Sequence, residues 1–358
     1  MFLAYAVPRP FRPREAVVGS EMILRRPLRA ICLDGGGYLG LATASFLKET
    51  ERHANVRIAD QFDLFCGTST GGILALALAH GKSGEEIVDL YRQLGRDVFA
   101  NRIPGSRKAR VLRGFFASKY SNKKLDQALA TVFGEAKIGD LKARGKLVVI
   151  PAFCLSDGSP RVFKTDHAKE LSRDDGYLVK DIALATSAAP TYLPIVSIKS
   201  PTSGGQEQFI DGGVFANNPT LLAVTEAFGY LKIAPADLQV LSLATPRDLS
   251  HSAERSRPLT WWERFRLSRG LIRWGPGLAD LFIGSNMRLT HFAVNRVMLG
   301  LAGGVATYER IELDTQDGLG LDVADDWATE TLVNIGNAKA AKGDVRKQLE
   351  PFLISRGG

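Results

Sequence analysis

The chain has 358 residues, 45% of them hydrophobic and 23% charged, and carries a formal net charge of +8. This composition excludes the disordered, collagenous and disulfide-stapled classes, and the length suits one large core with an extension. Three cysteines, Cys32, Cys66 and Cys154, have no CxxC spacing and read as small buried hydrophobes of a reducing cytosol rather than as a metal site.

Residues 1–14 mix prolines and arginines with short apolar stretches and lack the long uncharged run of a signal peptide. Residues 28–33 form an apolar strand that ends in Asp34 and three glycines, and 38–52 follow as a helix with one apolar face. The pattern then repeats, with a buried strand at 62–66, a tight turn at 67–71 and an apolar helix at 72–80. The most apolar stretch here, 71–81, is far short of the roughly 20 residues of a membrane span. Further strands are expected at 147–153, 208–210 and 238–243, with helices at 84–94, 122–133, 180–187 and 219–230. Strands alternating with helices imply a mainly parallel sheet covered on both faces. For the helix near Pro219, Asn217 or Asn218 supplies a cap and proline suits the first helical position. Past Ala244 the strand signal fades, and the remainder reads as helical or irregular, with a helix at 324–341. The expected organisation is an N-terminal segment (1–28), a core (29–245) and a C-terminal extension packed on it (246–358).

The charge is concentrated. Between Arg92 and Lys124 ten Lys or Arg face one acid, Asp97, and between Arg255 and Arg273 six face Glu263, so the rest of the chain is net negative. Two basic segments on an acidic body point to an anionic partner, or else to a solvated basic face. Trp261 and Trp262 lie in the second segment with Phe265, Leu271 and Ile272, and Trp274 directly follows it, a mixture that suits docking onto anionic lipid or an internal aromatic core. Residues 278–301 add apolar residues broken by Arg288 and Arg296, which reads as a lid or lipid-contact helix.

The turn Gly35-Gly36-Gly37-Tyr38-Leu39-Gly40 satisfies GxGxxG, but a dinucleotide fold would end its second strand in a ribose-binding acid. That strand runs instead into Gly67-Thr68-Ser69-Thr70-Gly71, a GxSxG elbow that sets a serine between strand and helix. Helix amides beyond Ser69 and the N–H groups of Gly35, Gly36 and Gly37 would together favour a tetrahedral oxyanion. Of five histidines, His251 and His291 come late enough for a Ser, acid, His order, yet neither has the Gly/Asp surroundings that position a catalytic imidazole. Asp211, at a strand end before Gly212-Gly213, suits a Ser69–Asp211 dyad. A carboxylate of ordinary pKa, about 3.9, is a weak base, so the dyad would depend on desolvation and on oxyanion stabilisation.

These residues resemble the patatin-like phospholipase family. Asp34 to Gly40 is similar to its oxyanion loop, Gly67 to Gly72 to its nucleophile elbow and Asp211-Gly212-Gly213 to its acid motif, which Asn217-Asn218-Pro219 extends. Ala185-Thr186-Ser187-Ala188-Ala189-Pro190-Thr191-Tyr192 resembles another recurrent block, and order and spacing agree over 29–245. The resemblance implies a patatin-like three-layer α/β fold with a mainly parallel central sheet and a largely helical C-terminal extension. It also implies catalytic Ser69 and Asp211, an oxyanion hole from Gly35, Gly36 and Gly37, no metal or cofactor, and hydrolysis of lipid acyl esters. Leu39 departs from the pattern, since the family usually has Arg or Lys there. Size and the DGGGYLG spelling look similar to bacterial antiphage effector phospholipases switched on by a cyclic dinucleotide. The resemblance thus implies a cytoplasmic protein acting peripherally on the inner membrane, with phospholipid and a cyclic dinucleotide as partners, self-association, and no nucleic acid. Two other readings stand beside it: a constitutive lipase or esterase, and a nucleotide-binding protein with a vestigial hydrolase core.

Overall fold

A computed structural model describes residues 27–99, 118–167, 172–246, 277–301 and 307–353. Both glycine-flanked apolar runs fold as expected. β1 (Leu28–Leu33) leads through a 3-10 turn to α1 (Gly40–Ala54) and α2 (Ile58–Gln61), and β2 (Leu64–Gly67) leads to α3 (Thr70–Ala79). Then come α4 (Gly84–Leu94), α5 (Asn122–Phe133), α6 (Ile138–Ala143), β3 (Leu147–Cys154), β4 (Ser159–Lys164) and α7 (Val179–Thr186). β5 (Val196–Lys199), β6 (Gln206–Asp211), α8 (Gly213–Ala216), α9 (Thr220–Gly229) and β7 (Leu238–Leu243) follow. The C-terminal part adds α10 (Gly277–Leu301), β8 (Thr307–Ile311), α11 (Asp326–Ala341) and α12 (Gly343–Leu349).

The strands form one sheet in the order β5-β6-β3-β2-β1-β7-β8, with β4 also paired to β3. β3, β2, β1, β7 and β8 run parallel, whereas β4 and β6 are antiparallel to β3, and β5 to β6. Alternate residues of the central strands face opposite layers. Ile31, Leu33, Phe65, Val148 and Ile150 join the core that includes α1, α3, α4 and α7. Ala30, Cys32, Leu64, Cys66 and Val149 join the other, with Ala223 and Val224 of α9 and Val294 and Met298 of α10. The result is a three-layer fold. All three cysteines are buried and free.

Three strands escape the sequence reading, and each has a physical reason. β4 begins Ser-Pro-Arg, and β5 is four residues with only Val196 and Ile198 turned inward. β8 is Thr-Tyr-Glu-Arg-Ile, an edge strand whose membership depends on pairing with β7 rather than on its own apolarity. The region past Ala244 is therefore not only helical or irregular. Pro219 occupies the cap position of α9 rather than the first helical one, and Asn218 Oδ1 accepts the Thr220 N–H at 3.0 Å. Residues 1–26, most of the 92–124 basic segment, and all of the 255–273 segment with Trp261, Trp262 and Trp274 lie outside the described residues.

Candidate active site

The register on β3 explains how two distant motifs meet. β4 pairs with β3 from Val149 to Cys154, so it occupies one flank throughout. Val149 also partners Cys66 of β2, and Ala152 also partners Asp211 of β6, so β2 and β6 share the other flank. β6 is antiparallel, and its C-terminal end therefore runs toward the end of β2. Ser69 and Asp211 stand at that meeting.

Ser69 Oγ donates to Asp211 Oδ2 at 2.6 Å, and the two residues are only 8% and 4% exposed. Ser69 has φ 56° and ψ −129°, a left-handed backbone that costs a non-glycine residue about 1–3 kcal/mol. Its surroundings hold it there. Ser69 N–H donates to Thr186 Oγ1 at 3.0 Å, and Ser69 O accepts the Gly72 and Ile73 amides at 2.9 and 3.2 Å. A Cβ on Gly71 would strike the Leu33 and Asp34 carbonyls, so only glycine lets α3 start this close to β1. Asp211 is oriented by the Gly213 N–H, which donates to its Oδ1 at 2.6 Å, while its own N–H donates to Ala188 O at 3.0 Å.

The Ala185 to Tyr192 block now has a structural role. Thr186 Oγ1 accepts from Ser69 and donates to Pro151 O at 2.6 Å, and Thr186 O accepts the Gly212 amide at 3.3 Å. One threonine thus fastens the elbow, β3 and the acid turn together. Sequence reasoning noticed the block without assigning this task.

The first glycine turn packs on the serine. A Cβ on Gly35 would lie 3.1 Å from Ser69 Cβ and collide with Asn217 Oδ1. Asn217 clasps Gly35 from both sides, its O accepting the Gly35 N–H at 3.0 Å and its Nδ2 donating to Gly35 O at 3.2 Å. Gly36 N–H donates to Thr70 Oγ1 at 3.3 Å. The Gly37 and Thr70 amides have no acceptor among the described residues and so can donate to an incoming anion. Leu39, where a basic residue was expected by resemblance, is buried at the start of α1.

A guanidinium nevertheless stands at the base of this turn, brought by the unexpected edge strand. Arg310 of β8 donates through Nη2 to Asp34 Oδ2 at 2.6 Å and through Nη1 to Ser242 Oγ at 2.8 Å. Both side chains are almost fully buried. Burial disfavours the Arg310 charge, but the Asp34 carboxylate more than reverses this and holds the guanidinium protonated. No local sequence signal marks Arg310.

The histidines are engaged elsewhere. His167 pairs with Glu226 at 2.6 Å, His291 Nδ1 meets the Tyr308 hydroxyl at 2.8 Å, and His53 and His80 sit at helix ends. His251 lies outside the described residues. Among the described residues no group of three or more His, Cys, Asp or Glu could hold a metal ion.

A three-layer α/β fold with a serine elbow, a glycine turn and a strand-end aspartate converging on one point resembles the hydrolases that set a serine on a strand-to-helix turn. The chain belongs to the patatin-like phospholipase family, whose model matches residues 31–224, and is a hydrolase. Its similarity extends to three bacterial proteins, each called a cGAMP-activated phospholipase. The Escherichia coli protein is 37% identical over 92% of this chain and 93% of its own length. That of Vibrio cholerae is 37% identical over 62% and 65%, and that of Pseudomonas aeruginosa 34% identical over 90% of each. Among solved structures, VipD from Legionella pneumophila aligns with a TM-score of 0.43 at 12% identity, across 91% of this chain and 67% of that one.

Proposed function

We propose that the chain is a phospholipase A-type enzyme that uses Ser69 and Asp211 to cleave acyl esters of membrane phospholipid, and that a cyclic dinucleotide switches it on. The observation that carries the chemistry is the 2.6 Å bond from Ser69 Oγ to Asp211 on an elbow that holds the serine in one backbone conformation. Ser69 Oγ attacks the ester carbonyl as its proton passes to Asp211 Oδ2. The resulting oxyanion is received by amides of the Gly35 to Gly37 turn, Gly37 foremost, and by Thr70 N–H. Collapse expels the lysolipid alkoxide, which takes the proton from Asp211. Water then gives a proton to Asp211 and attacks the acyl-Ser69 ester, and fatty acid departs as the serine regains its proton.

The control by nucleotide is supported by the three relatives named for cGAMP activation. In this reading the enzyme serves a bacterial antiphage defence and degrades the host's own inner membrane from the cytoplasmic side. Fatty-acid release from vesicles of phosphatidylethanolamine and phosphatidylglycerol, with and without cGAMP, tests both parts. Release that rises with cGAMP and disappears in Ser69→Ala is expected. Activity that survives Ser69→Ala removes the nucleophile, whereas high release indifferent to any cyclic nucleotide leaves a constitutive lipase.

A further inference from the structure

Helix α10 turns two unlike faces outward and inward. Met287, Thr290, Val294 and Met298 are buried on the side that packs against α8, α9 and β8. The opposite side exposes Leu281, Phe282, Leu289, Phe292 and Leu299, with Phe282 and Leu289 each 66% and Phe292 60% exposed. Positions 282, 285, 289, 292, 296 and 299 follow the alternation of three and four that lines up side chains along a helix. The charges on this face are Arg288 and Arg296, and the sequence has no acid from 281 to 301. The Arg296 guanidinium lies 5.4 Å from the Phe292 ring centroid, so an apolar side chain and a cation share one patch.

The stripe continues toward the reaction centre. Asn286, one turn from both Phe282 and Leu289, donates Nδ2–H to Phe215 O at 2.7 Å. The neighbouring Val214 is exposed, and α8, which carries both residues, begins two positions after Asp211. A run of large apolar side chains free of acids, carrying two arginines and reaching the rim of a lipid-hydrolysing site, complements an anionic bilayer rather than water.

We propose that the outer face of α10 is a docking surface for an anionic phospholipid bilayer, with the helix lying in the plane of the headgroups beside the Ser69–Asp211 site. The proposal rests on the phospholipase reading. Phe282, Leu289 and Phe292 enter the acyl boundary while Arg288 and Arg296 pair with lipid phosphates. The helix lies on the membrane and does not span it, since no helix among the described residues is long and apolar enough to cross.

Flotation with vesicles of phosphatidylethanolamine and phosphatidylglycerol, and with phosphatidylcholine alone, tests this in the Ser69→Ala protein, which leaves the lipid intact. Each measurement is made with and without cGAMP. Combining Phe282→Ser, Leu289→Ser and Phe292→Ser should weaken binding about a hundredfold, because three large side chains no longer leave water. Arg288→Gln with Arg296→Gln should weaken it about tenfold on the anionic vesicles and leave phosphatidylcholine binding unchanged. In protein that retains Ser69, both sets should hydrolyse the water-soluble ester p-nitrophenyl butyrate as the parent does, and their melting temperatures should match it.

Undiminished vesicle binding by the triple variant overturns the proposal. If light scattering then shows that the triple variant has lost a subunit, the face joins two copies of the chain. If α10 amides are protected without lipid and the triple variant loses that protection alone, the face receives a segment of the same chain. Parent protein that floats with anionic vesicles yet hydrolyses neither lipid nor soluble ester removes the phospholipase reading and keeps the docking surface. Hydrolysis of both, unaffected by the triple variant, removes the docking surface and keeps the phospholipase.

Discussion

Helices α3 and α10 are both apolar, and they meet water in opposite ways. All ten residues of α3 are buried among β1, β2, β3 and α7, and its first turn positions Ser69. α10 has 25 residues, buries one line of side chains and leaves Phe282, Leu289 and Phe292 in solvent. Similar composition therefore serves two ends. In α3, burial on every side gives the elbow a rigid base against which backbone strain can be held. In α10 the outer apolar line stays largely in water, so most of the stabilisation its burial can give is gained only when another surface covers it.

The comparison can be broken first at the head of α3. Ser69→Ala should lower fatty-acid release about 10⁴-fold, and Asp211→Asn should lower it about 10²–10⁴-fold, while vesicle flotation stays the same. Steady-state kinetics beside flotation would read both. Equal losses of binding and turnover would mean that the α3 end and the α10 end are not separate.

Next in size is Arg310→Met. It leaves the Asp34 carboxylate buried without its cation, which should cost about 3–5 kcal/mol in urea unfolding and disturb the turn that packs on Ser69. The fold then discriminates between the helices themselves. Leu76→Ala in α3 should cost about 2–5 kcal/mol, whereas Leu289→Ala on α10 should cost no more than about 0.5 kcal/mol. A comparable loss from Leu289→Ala would show that its face is already covered.

The smallest effect is one of pH. Burial raises the Glu226 carboxyl on α9, but hydrogen bonds from His167 and Lys164 outweigh this and hold it below the usual carboxylate range. A lowered folded value means that Glu226 stabilises the protein above the unfolded carboxylate pKa and that this contribution is lost as pH falls through the folded value. α9 underlies α10. Hydrogen exchange on acidification should consequently release α9 and α10 amides before those of α3.

Legibility in the sequence follows the same division. β1, β2, β3 and β7 are continuous apolar runs of a sheet covered on both faces, so composition alone exposes them. The Gly67 to Gly71 elbow and the Asp211-Gly212-Gly213 turn are local motifs, and their juxtaposition needed only the strand order. The task of Thr186 is invisible in one dimension because its partners lie far away in the chain, Ser69 in the turn after β2 and Pro151 within β3. β8 and Arg310 are hidden for a stronger reason. Thr-Tyr-Glu-Arg-Ile has no strand-like alternation of apolar residues, and its arginine is satisfied by a carboxylate 276 residues away.

That separation has a consequence in time. Asp34, Ser69 and Asp211 all leave the ribosome before Arg310 is synthesised, so the guanidinium at the base of the glycine turn arrives only after the elbow and the acid. A growing chain therefore carries Ser69 and Asp211 before it can pair Asp34 with Arg310 or add β8 to the edge of the sheet.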